Sequence, residues 1–215
     1  MSLLGRFRAA LGRDDASLLA RARSDVRMGL ALNPPACRPP LNRAIATLER
    51  LPNSPEVALL LGRALRAKAA TVSGSDARDL RARAVAKLTA MLDTTRITAI
   101  ERATLYAALA QAWMPLRDDA KDPELSYRQL IRAQEAQAEA LVVPSAAAHL
   151  GMAEIALALC QNPLCPSPRA MAQTVLLQVN EARNRAPDAD EQGSLDALES
   201  AALHLFPGLV SDDTP

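Results

Sequence analysis

The stretch TLYAALAQAWMPLRDDAKDPELSYRQL, residues 104–130, decides the fold class. Tyr106, Leu109, Ala110 and Trp113 recur at spacings of three and four, which places them on one face of a helix. Pro115 to Pro123 then breaks the pattern, and helical spacing resumes beyond it. The same alternation extends in both directions, through Leu18, Ala22, Val26 and Gly29 on one side and Ala58, Leu61 and Leu65 nearer by. Proline-rich or polar breaks at 33–40, 52–55, 71–75, 93–95, 115–123, 143–145, 162–168 and 186–190 predict nine helices. These span 15–32, 41–51, 55–70, 76–92, 97–114, 124–142, 145–161, 167–185 and 190–205. Ser54 before Pro55, and Ser145, are suited to cap two of them. Alternating Val, Thr and aromatic runs are scarce, and no Asn-Gly or Asp-Gly turn joins two of them, so the expected class is all-α.

Helix pairs end near Leu51, Leu92, Leu141 and Ala186, a period of about 41 to 49 residues. The first helix of each pair carries a large residue followed by a small one: Met28-Gly29, Leu61-Gly62, Leu109-Ala110 and Leu150-Gly151. A small residue there lets two helix backbones approach while the large one fills the adjoining gap. With Ala44 and Leu48 in the second helix of the first pair, and Ala182 and Pro187 closing the fourth, the pattern resembles the tetratricopeptide repeat. The third pair matches best; Asp25 and Glu154 stand where the motif expects aromatics, and the repeats depart from the motif's usual length of about 34.

The resemblance implies a right-handed solenoid of about four antiparallel helix pairs with a C-terminal capping helix. It would occupy residues 14–206, preceded by a basic amphipathic segment (1–13) and followed by a mobile acidic tail (207–215). An irregular alanine-rich bundle is the alternative. In the family the groove is lined by first-helix residues near the small one, which here implicates Arg23, Glu56, Arg63, Arg66, Gln111, Met114, Met152 and Ile155. Arginines there would pair carboxylates and methionines would adapt to an apolar side chain, so the implied partner is a protein or peptide with an acidic part.

Composition narrows the other classes. Every apolar stretch is interrupted before the 18 to 20 residues that a membrane-spanning helix needs, and the first fifteen residues lack the layout of a secretory leader. Three cysteines are an odd count that requires no disulfide framework, so the expected compartment is a reducing cytoplasm. The 22 arginines against 3 lysines read as GC-rich, bacterial coding. Residues 1–100 hold 17 Lys plus Arg against 8 Asp plus Glu, a net +9, and residues 101–215 hold 8 against 16, a net −8. Opposite ends of this kind could steer an acidic partner to the first half, or drive self-assembly into an accessory subunit of a larger complex, the second functional expectation.

Chemistry leaves few traces. Nucleotide, zinc-protease and serine-hydrolase motifs are absent from the sequence, so no enzyme activity and no cofactor is expected. His149 and His204 read as helix-packed or partly exposed, and Asp118, Asp119 and Asp122 as solvated loop residues. Cys160 and Cys165, at C-x4-C spacing, supply only half of a zinc site and read as free thiols. Nucleic acid is disfavoured, because the arginine-rich half contains one aromatic, Phe7, for base stacking. Leu3, Leu4, Phe7 and Leu11, with Arg6, Arg8 and Arg13 elsewhere, form a short amphipathic stripe that would cap the first repeat or touch a membrane surface or a partner.

Overall fold

Serine, threonine and aspartate at the breaks start most of the helices, because their side-chain oxygens accept the backbone N–H groups that a first turn leaves unpaired. A computed structural model of the chain describes residues 3–209, with side chains from residue 14 onward. Among them are nine α-helices and no strand: α1 (Leu3–Ala31), α2 (Arg38–Leu48), α3 (Pro55–Ala69), α4 (Gly74–Leu92), α5 (Ala99–Trp113), α6 (Pro123–Ala140), α7 (Ala146–Gln161), α8 (Pro168–Arg183) and α9 (Ala189–Leu205). Ser54 Oγ accepts from Val57 N at 3.3 Å, and Ser145 Oγ from Ala148 N at 3.1 Å. Thr98 and Asp188 form reciprocal capping boxes with Glu101 and Glu191.

Two helices depart most from their expected bounds, α2 at both ends by three residues and α1 at its start. α2 begins three residues early, because Pro39 and Pro40 sit in its first turn, where a missing N–H costs nothing. α1 runs without interruption from Leu3, so the basic segment and the first helix are one element. Gly12, Asp14 and Asp15 look like a break, yet none removes a backbone donor. The side chains of the expected 1–13 stripe lie outside the described residues.

The chain forms two compact units, Met1–Ile97 and Thr98–Pro215. In the first, α1 packs on α2 and α3, α2 on α3, and α3 on α4. In the second, α5 packs on α6 and α7, and α7 also on α6, α8 and α9, with α8 against α9. Within each unit, each helix therefore packs on its neighbour in sequence, and the first helices of successive pairs also touch. Among the described residues α2 does not meet α4, nor α6 α8.

The core is made of small residues and leucines. A methyl on Gly29 would stand 2.6 Å from Leu41 Cγ, and one on Gly62 2.8 Å from Leu88 Cγ, so both pairs close at the expected position. Gly151 departs from that pattern: the three atoms nearest to an added methyl all belong to Gln137 of α6, in the preceding pair, the first at 2.9 Å. In the second unit Ala153, Ala156, Val175, Val179, Leu195 and Ala202 form the α7–α8–α9 core. Leu209 is only 5% exposed and joins that core, so the chain is still anchored there, inside the span expected to be a mobile tail; residues 210–215 lie outside the described residues.

Candidate functional site

The first helices bring several of the expected groove residues together. In the first unit, Arg23 of α1 reaches across to α3, its Nε donating to Glu56 Oε1 at 3.0 Å while its Nη2 pairs with the same oxygen. These two expected groove residues are thus each other's partners. Two turns on from the pair's second member, Arg63 is exposed, and desolvation by the surrounding protein lowers its guanidinium pKa. Arg66, one turn further along α3, is half-buried.

In the second unit, Gln111 of α5 donates from Nε2 to Glu154 Oε2 of α7 at 3.1 Å. Burial raises the Glu154 pKa above the ordinary carboxylate value, and the Gln111 hydrogen bond partly opposes this. Met114, at the end of α5, is half-buried. Ile155 is fully buried and Met152 only 7% exposed, which corrects their expected place in a groove: both are core residues. α7 is packed by α5, α6, α8 and α9, so most of its sides are interior.

Glu154, the partner of Gln111, is a residue that the expected groove set left out. Its signal was present as a carboxylate in a slot where the repeat motif has an aromatic. Arg23–Glu56 and Gln111–Glu154 are then equivalent ties, each joining the first helices of successive pairs over 33 and 43 residues. Two further polar links in the first unit have nearly the same separation: Arg38 to the Thr71 carbonyl over 33 residues, and Arg83 to Glu49 over 34.

The remaining candidates have structural roles. Asp119 is 3% exposed and accepts from Leu116 N at 3.1 Å, Asp118 pairs with Lys121 at 2.8 Å, and Asp122 caps α6 through Leu125 N. The acidic loop is therefore a folded turn and not a solvated run. His149 is buried, with Nδ1 donating to Gln178 Oε1 at 2.7 Å; His204 is exposed in the last turn of α9. Cys37, Cys160 and Cys165 are free thiols, and burial, then the neighbouring Cys165, pushes the Cys160 thiol up and away from thiolate. Among the described residues no three His, Cys, Asp or Glu side chains are grouped to hold a metal, and no helix is long and apolar enough to cross a membrane. A cleft of about 160 Å³ opens between Tyr127 and Ile131 of α6, Leu159 of α7, and Cys165 and Met171 by α8.

Compared with protein-family models, curated proteins and solved structures, the chain gives no match.

Proposed function

We propose that each unit is a short run of tetratricopeptide-like helix pairs, stacked as a right-handed solenoid, and that the protein is a non-catalytic adaptor of the bacterial cytoplasm. Its first-helix wall binds an acidic segment of another protein. One observation carries this reading: α1 and α3 lie side by side, and Arg63 is exposed on α3. The repeat character is supported by the offset of Gly29 from Gly62, which is close to the family's length of about 34 residues. In this arrangement Arg63 and Arg66 meet the incoming carboxylates, while the Arg23–Glu56 tie holds the two helices at their spacing. The net +9 of the first hundred residues draws an acidic segment to the first unit.

The test is fluorescence anisotropy with a labelled Asp/Glu-rich peptide and a Lys-rich control of equal length. The acidic peptide should bind in a salt-dependent way, and R63E/R66E should weaken it about tenfold or more with circular dichroism unchanged. Equal binding of the two peptides, or unchanged affinity in the double variant, overturns the reading.

A further inference from the structure

α1 is covered on one side only. Ala22 and Val26 are buried where α2 and α3 pack, and Gly29 meets Leu41. The adjoining stripe carries Asp14, Leu18, Arg21 and Met28 at helical spacing, and continues to Leu32 one residue past the helix end. Leu18, Met28 and Leu32 are 40, 48 and 40% exposed. Asp25 shares the stripe but is held by Arg43 of α2 at 2.7 Å, which marks the edge of the covered side. Exposed leucine and methionine side chains aligned on one helix mark an interaction face.

We propose that this face is covered by α1 of a second copy, lying antiparallel across a two-fold axis near Leu18. The order of charges argues for that occupant. Asp14 precedes Leu18 and Arg21 follows it, both exposed. Reversing one copy sets Asp14 of each against Arg21 of the other, giving two equivalent ion pairs that flank the leucines. A parallel copy would set Asp14 against Asp14 and Arg21 against Arg21, which repel. An anionic lipid surface would meet Asp14 and Asp15 along with the arginines, so mixed charge favours a self-complementary partner. This assembly is independent of the acidic-segment reading, since Arg63 and Arg66 are on α3.

The test is the mass of the full chain by light scattering and sedimentation at low salt. Twice 22.9 kDa is expected. D14R and R21D should each weaken the dimer about tenfold or more, and D14R/R21D should restore it to within about threefold of the parent. L18D should give a monomer with unchanged circular dichroism. A parent chain that stays at 22.9 kDa up to about 200 µM overturns the proposal. So does a dimer that D14R/R21D fails to restore, or a monomer that sediments with phosphatidylglycerol vesicles.

Discussion

A methyl group added at Gly62 would meet three carbons of Leu88, all within 2.9 Å, and Leu88 is itself fully buried. Helix propensity would favour the alanine by about 1 kcal/mol, but overpacking costs about 1–3 kcal/mol, so G62A should destabilise the chain by about 1 kcal/mol in urea melts. Gly193, inside α9, has nothing within 4 Å of the same position, and G193A should stabilise by up to about 1 kcal/mol. The Gln111–Glu154 tie is tested by pH. The folded-state pKa of Glu154 is raised, so the folded chain holds the proton more tightly, and the ionised carboxylate weighs against folding once pH passes that value. E154Q keeps an acceptor for Gln111 and should raise the melting temperature at pH 7–8, a gain that should vanish below about pH 4, where both states of the parent are protonated. At this scale the sequence was readable where a large–small pair met a single neighbour, as at Gly29 and Gly62. It was unreadable at Met152 and Ile155, because a helix apolar on most of its sides offers no pattern to say which side faces solvent.

Helix positions were legible because proline, serine and aspartate act locally, through the few donors of a first turn. Joining α1 to the preceding segment was not legible, since Gly12-Arg13-Asp14-Asp15 weakens a helix without removing any hydrogen bond. Pairing between elements depended on long side chains that no spacing rule foresees. Arg183 of α8 reaches both Asp196 and Glu199 of α9, at 2.8 and 2.7 Å, and holds the Asp196 carboxyl below its usual range together with Gln192. R183A should therefore loosen α9, read as faster amide exchange in 189–205 than in the parent, with α5 and α6 unchanged. The depressed Asp196 pKa means that this contribution is present above the ordinary aspartate range and fades as pH falls through the lower folded value. Equal exchange in parent and variant at neutral pH would show that the fork contributes nothing.

Over the whole molecule, the division at Ile97 coincides with the reversal of charge read from the sequence, because Thr98, Ala99 and Ile100 carry none. The division itself left no compositional mark: Asp93 to Thr98 is short and lacks the glycine and serine of a linker. Arg96 is exposed in that connection, outside any helix. Limited trypsin treatment should cut first after Arg96 and leave fragments that run near the sizes of 1–96 and 97–215. A first cut within α3 or α7 would show that the two units do not keep their own stability.

The single tryptophan of the chain sits at the end of α5, with the Arg132 guanidinium of α6 stacked 4.7 Å from its ring centroid. Both residues belong to the second unit. Intrinsic emission is thus an optical probe of one half of the molecule and dark to the other, whereas ellipticity sums the two. Recording both signals on one sample separates the melting of the basic half from that of the acidic half without attaching a dye.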